Sequence, residues 1–133
     1  AILISEYGIS SIKLIKLGLP ISYFSLFLII YFGNNAGAFL FTLYIMTSIV
    51  ISLTQPAIAL NFSKNLAGKS LTSYNVFLFS GTFFIQWGIG LVIDLCNNKG
   101  FDILSSYRIS FSLFLFLCVL SYTFFIYLNK NEN

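Results

Sequence analysis

Four long apolar stretches alternate with short polar turns along this chain of 133 residues. The stretches lie at about residues 17–32, 36–60, 71–93 and 107–128. A helix needs roughly 20 apolar residues to cross the hydrocarbon core of a bilayer, so the first stretch is short and the other three are long enough. The pattern predicts an all-α fold, a polytopic transmembrane helical bundle of four helices.

The composition agrees with a membrane location. The chain is 58% hydrophobic and only 8% charged, and its mean hydropathy is +0.91. Soluble domains carry roughly 25% charged residues. The lipid bilayer is therefore the expected partner. The net charge of +3 is small and gives no reason to expect nucleic-acid binding.

No pattern in the sequence indicates catalysis. Histidine is absent, which excludes His-based metal sites and general bases. Cys96 and Cys118 form neither a CxxC motif nor a disulfide framework. A membrane enzyme would also need a convergent set of nucleophile, base or metal ligands, and none is visible. We therefore expect no enzyme activity, no metal and no cofactor.

Polar or small side chains recur at helical spacing along the second stretch. This second-span stripe comprises Tyr44, Ser48, Ser52 and Gln55. Pro56 follows it and cannot donate a hydrogen bond to the Ser52 carbonyl, so a kink is expected near the end of the span. Such a kink fits a transport pathway and a packing role equally well.

The third stretch carries a second set of polar residues. Its third-span stripe comprises Asn75, Thr82 and Gln86, which fall on one helical face. Gly81 and Gly88 lie on another face and, with Gly90, are candidates for close helix packing. The amides either join neighbouring helices by hydrogen bonds or line a solute pathway.

The third stretch and the turn before it resemble the region around the eleventh helix of bacterial major facilitator superfamily permeases. In that family a phenylalanine and a Leu-x-Gly-basic step precede a Thr-x-x-Asn helix start, and a Gln-Trp-Gly-x-Gly segment ends the helix. Lys69 stands where the family has arginine, which keeps the charge but loses the planar fork. The matching residues are Phe62, Leu66, Gly68, Lys69, Thr72, Asn75, Phe79, Gln86, Trp87, Gly88 and Gly90.

The resemblance implies that the four stretches are the ninth to twelfth helices of a twelve-helix transporter. The second stretch would then line a central cavity, the third would flank it, and the first and fourth would lie outside. A small organic solute would cross by alternating access, and the carboxylate for any coupling proton or ion would lie in the missing N-terminal portion. A bacterial plasma membrane is the location that the resemblance implies.

The N-terminal residues fit a piece of a longer protein. The chain begins with Ala1 and has no signal-peptide pattern, and residues 1–4 would be the tail of a preceding helix. Residues 5–16 are predicted to be a loop. Pro20 would then lie in the first turn of the first helix, where its missing N–H costs little.

The basic residues predict an orientation. With four spans, Lys99 and Arg108 lie on one side of the membrane and the remaining cations on the other, namely Lys13, Lys16, Lys64, Lys69 and Lys130. Cytoplasmic loops are enriched in Lys and Arg. Both termini are therefore expected in the cytoplasm, and the turn at Asn34 and the loop 94–106 outside.

Two other functions fit four apolar helices. A stand-alone exporter of the small multidrug type would need a carboxylate inside the membrane. The acidic residues fall instead in predicted loops or tails, at Glu6, Asp94, Asp102 and Glu132. A structural membrane subunit is the other alternative, and the polar stripes count only mildly against it.

Overall fold

The computed structural model describes residues 11–60 and 62–129. Within these ranges the chain is helical apart from short connecting turns, and four of its helical segments are long and apolar enough to cross a membrane. The expected all-α architecture and the number of spans are therefore confirmed. The predictions for residues 1–10 and for the tail 130–133 lie outside the described residues.

The first helix, α1, spans Ser11–Phe32. It begins well before the predicted start at Leu17, so Pro20 lies in the helix interior and not in its first turn. Proline there cannot donate to the carbonyl of Lys16, four residues earlier. The hydroxyl of Tyr122 replaces that donor at 2.7 Å.

The second span is divided into three pieces. Helix α2 covers Ala38–Ser48, a 3₁₀-helix covers Ile49–Leu53, and helix α3 covers Thr54–Leu60. The irregular piece ends three residues before Pro56 and includes Ser52, whose carbonyl the proline ring would crowd in a regular α-helix. A tighter winding of the preceding turn is one way for a helix to accommodate such a proline.

The third and fourth spans are both longer than the sequence pattern indicated. Helix α4 spans Lys64–Asn98 and α5 spans Ile103–Leu128. The predicted polar turn 61–70 is therefore mostly helical, and the predicted loop 94–106 shrinks to a turn at residues 99–102. Asp102 begins α5 early, because its carboxylate accepts a hydrogen bond from the backbone N–H of Ser105 at 3.1 Å.

Helix α1 is the most covered of the four spans. It packs against both α2 and α5, while α4 packs against α5 and against α3. The buried apolar residues of the described chain are Ile15, Leu19 and Leu26, all on α1. The sequence resemblance placed the second span beside the central cavity of a larger transporter, whereas among these four helices alone α1 is the covered one.

Small side chains explain why α1 occupies this position. The four most deeply buried side chains are serines, two on α1 and two on α5: Ser22, Ser25, Ser106 and Ser110. Each donates its hydroxyl hydrogen bond to a carbonyl of its own helix, so none is left unsatisfied. In lipid, helices associate through such small residues because they allow close van der Waals contact.

Gly18 allows α1 to pack closely against the second span as well. A Cβ atom at this position would lie 2.8 Å from both methyl carbons of Val50, in the 3₁₀ piece of the second span. Because real Cβ atoms are not found at such distances, glycine is required for α1 and the second span to meet there.

Candidate functional site

The second-span stripe lies along the outer surface of the described bundle. Tyr44 and Ser48 are half-buried, whereas Ser52 and Gln55 are exposed. The hydroxyls of Ser48 and Ser52 donate to carbonyls one turn earlier, at 2.9 and 2.8 Å. Their hydrogen bonds are therefore satisfied locally, and they do not join one helix to another.

The third-span stripe has a similar placement. Asn75 is half-buried, and Thr82 and Gln86 are exposed. Thr82 donates to the Leu78 carbonyl at 2.9 Å. The amides of Asn75 and Gln86 make no hydrogen bond to any described residue. The structure therefore does not bring the two stripes together into one closed site within this chain.

The two spans do meet at one polar contact. The hydroxyls of Thr54, at the start of α3, and Tyr74, on α4, form a hydrogen bond. This pair lies one residue from Gln55 and one from Asn75. The two predicted stripes therefore approach each other at this end of the bundle.

The three candidate packing glycines differ in their surroundings. Gly88 lines a groove of about 210 Å³ between α4 and α5, opposite Ser110 and Leu113. Gly81 and Gly90 are exposed. A Cβ atom at any of the three would have no described neighbour within 4 Å. Close packing at these positions therefore does not occur among the described residues.

The described bundle also contains a larger cavity, which the sequence pattern did not indicate. Its volume is about 670 Å³, and it lies between α1, α2 and α5. Apolar side chains, including Leu26, Ile29 and Phe41, form most of its wall. Tyr44 is the member of the second-span stripe that reaches it.

Polar groups gather at the end of this cavity where the turn after α1 meets the start of α5. Asn34, Asp102 and Arg108 all line it. Arg108 donates from Nε to the carbonyl of Ile30 at 3.1 Å and from Nη2 to that of Tyr31 at 2.9 Å. A guanidinium thus satisfies two carbonyls at the C-terminus of α1, where positive charge is favourable.

The chain conformation at this end depends on a glycine. Gly33 has a φ of +54°, in the left-handed region that favours glycine. A Cβ atom there would lie 2.9 Å from Nη2 of Arg108. Two features of the sequence could have pointed to this corner: Arg108 is its only arginine, and the Gly-Asn-Asn turn follows an apolar helix.

Asp102 is the titratable group here that lies outside the helices. Hydrogen bonds from the hydroxyl and the backbone N–H of Ser105 stabilise its carboxylate and hold its pKa below the ordinary value of 3.8. The side chain is therefore ionised at neutral pH. Among the described residues, no group of His, Cys, Asp and Glu could hold a metal ion, and both cysteines are free.

No known protein family matches the chain, and neither a curated protein nor a solved structure shows significant similarity to it.

Proposed function

We propose that this chain is part of a secondary transporter that moves a small organic solute across a membrane by alternating access. In this proposal it forms the last four helices of a major facilitator superfamily permease. The chain is then completed by an N-terminal portion that carries the other helices and any coupling carboxylate.

The observation that carries the proposal is the position of Gln86. The segment between Lys69 and Asp94 has no charge, and Gln86 lies about 12 Å along the helix axis from Asp94. Its side chain is exposed and has no hydrogen-bond partner among the described residues. Transfer of an unpaired amide into hydrocarbon costs roughly 2–7 kcal/mol, so this face of α4 should meet protein or water rather than lipid.

The resemblance of residues 62–90 to the eleventh helix supports the same conclusion. Its landmarks from Leu66 to Gly90 all fall on α4, one continuous helix. In transporters of this kind the solute site lies between two halves, so half of its lining must come from outside a four-helix piece. A four-helix piece should therefore expose a polar face that the other half would cover, as α4 does at Gln86.

Substitution of Gln86 in the full-length protein tests the proposal. Gln86→Leu should leave expression and membrane insertion unchanged but lower the initial uptake rate of the transported solute, found by screening labelled sugars, amino acids and organic acids. Phe77→Leu is the matched control, because Phe77 is exposed on the opposite face of α4. This control should change neither the expression and insertion of the protein nor its initial uptake rate.

The outcomes separate the alternatives. Normal uptake by Gln86→Leu would mean that the amide only joins helices and lies outside the pathway. Saturable uptake by the purified 133-residue chain alone, reconstituted in vesicles, would favour the stand-alone exporter. Failure of the full-length protein to transport any solute, with normal folding, would favour the structural subunit.

A further inference from the structure

The cavity between α1, α2 and α5 has a mainly apolar wall and a group of polar residues at one end, as a site for an amphiphilic ligand would. Its wall is mainly apolar, with Leu26, Ile29 and Phe41 among the residues that form it. Its polar groups lie together at one end of the bundle, next to the first residues of α5. In a chain whose helices cross a membrane, this end lies near the bilayer surface, so the cavity has an apolar part at acyl-chain depth and a polar part at headgroup depth.

The polar part contains one group of each charge. Arg108 uses Nε and Nη2 for the carbonyls at the end of α1. Its Nη1 nitrogen has no hydrogen-bond partner among the described residues, and a guanidinium can donate from all three nitrogens. The Asp102 carboxylate accepts from Ser105. Arg108 and Asp102 therefore form their hydrogen bonds with other residues and not with each other, so each can still bind an ionic partner.

We propose that this cavity binds a single zwitterionic phospholipid. The phosphate lies beside Arg108, the ammonium group lies beside Asp102, and one acyl chain lies against the apolar wall. Guanidinium groups bind phosphate oxygens with charge-assisted hydrogen bonds, and a volume of about 670 Å³ is within the usual range for ligand sites. The proposal depends on insertion in a membrane and not on transport.

The charges predict which lipid is preferred. Phosphatidylethanolamine offers both a phosphate and an ammonium group, whereas phosphatidylglycerol offers the phosphate alone and adds net negative charge next to Asp102. The preference should be about 1.4- to fivefold, which is the range expected for an exposed ion pair.

Native mass spectrometry of the purified chain tests this directly. The chain is extracted in detergent, freed of lipid, and then mixed with equal amounts of the two phospholipids. We expect one retained lipid per chain, with phosphatidylethanolamine favoured by about 1.4- to fivefold. Asp102→Asn should bring the ratio close to one without unfolding the helix start, because asparagine is also a good N-cap.

A second pair of variants separates the cavity from the rest of the surface. Ile29→Trp fills the apolar wall and should reduce retention of both lipids. Ile109→Trp adds the same ring to an exposed position of α5 that does not line the cavity, and should leave retention unchanged. The proposal is overturned if the native chain retains neither lipid or both equally, or if Asp102→Asn leaves the ratio as it was.

Discussion

The hydroxyl of Tyr122 lies 2.7 Å from the backbone carbonyl oxygen of Lys16 and donates a hydrogen bond to it. The two residues belong to the antiparallel helices α5 and α1. The carbonyl needs this donor because the residue four positions later, Pro20, has no N–H. One side chain thus repairs the defect that a proline makes in another helix, and it joins the two helices at the same time.

Removal of the hydroxyl should therefore destabilise the chain, and the effect should depend on Pro20. Tyr122→Phe removes the hydroxyl that donates to the Lys16 carbonyl and should lower the free energy of unfolding by about 1 kcal/mol. In a Pro20→Ala background the N–H of Ala replaces the donor, so the same change should cost less. Unfolding of all four proteins in mixed detergent micelles measures this double-mutant cycle, and an equal cost in both backgrounds would contradict the explanation.

Gly18 and Gly81 should respond in opposite ways to the same substitution. Gly18→Ala places a Cβ atom 2.8 Å from the Val50 methyl groups and should lower thermal stability. Gly81→Ala meets no neighbour within 4 Å and should leave stability unchanged or raise it, since alanine favours a helix by about 1 kcal/mol over glycine. Adding Val50→Ala to Gly18→Ala should restore part of the loss. If Gly18→Ala is as stable as Gly81→Ala, the close approach of α1 to the second span is wrong.

The N-cap at Asp102 predicts a dependence on pH. The folded state lowers the pKa of this carboxyl, so its contribution to stability is complete above the ordinary value of 3.8 and declines as the pH falls through the lower folded-state value. Asp102→Ala should therefore be less stable than the native chain at pH 7, and the difference should shrink below pH 3.8. Asp102→Asn keeps a cap without a titrating group. The difference in stability between Asp102→Asn and Asp102→Ala should therefore stay constant in that window. A constant difference between the native chain and Asp102→Ala would argue against the cap.

The proposed orientation can be tested with single cysteines at exposed sites. Asn65, near the start of α4, and Asn98, at its end, are both exposed. In a background without Cys96 and Cys118, Asn98→Cys should react with a membrane-impermeant thiol reagent added to intact cells, and Asn65→Cys should react only after permeabilisation. The reverse pattern would place the termini outside.

The sequence was sufficient for the number of spans and for the helical class, because a bilayer imposes both on a strongly apolar chain. Helix ends were harder to predict. Helix α4 begins at Lys64 and continues past Asp94. A helix can extend beyond the hydrocarbon core, and its charged residues then lie in water, so they do not mark its ends. Asp102, a favoured N-cap residue, could have indicated the early start of α5, but the turn formers around it suggested a longer loop.

The arrangement of the helices could not be read from periodicity. Apolar residues surround every span, so the polar stripes and the glycines of the third span were the available guides to a contact face, and they drew attention to the second and third spans. The small residues Gly18, Ser22 and Ser25 instead allow α1 to be covered on several sides. The cavity at Arg108 also depends on residues more than 70 positions apart, since Arg108 contacts the carbonyls of Ile30 and Tyr31.

The length of α4 has a mechanical consequence. Its 35 residues form a continuous rod of about 52 Å, much longer than the roughly 30 Å thickness of the hydrocarbon core. A rod of this length amplifies rotation: a change in tilt of about 10° around its midpoint moves each end sideways by about 5 Å. The same change in tilt around the depth of Gln86 moves Lys69, which lies about 25 Å away along the helix axis, sideways by about 4 Å.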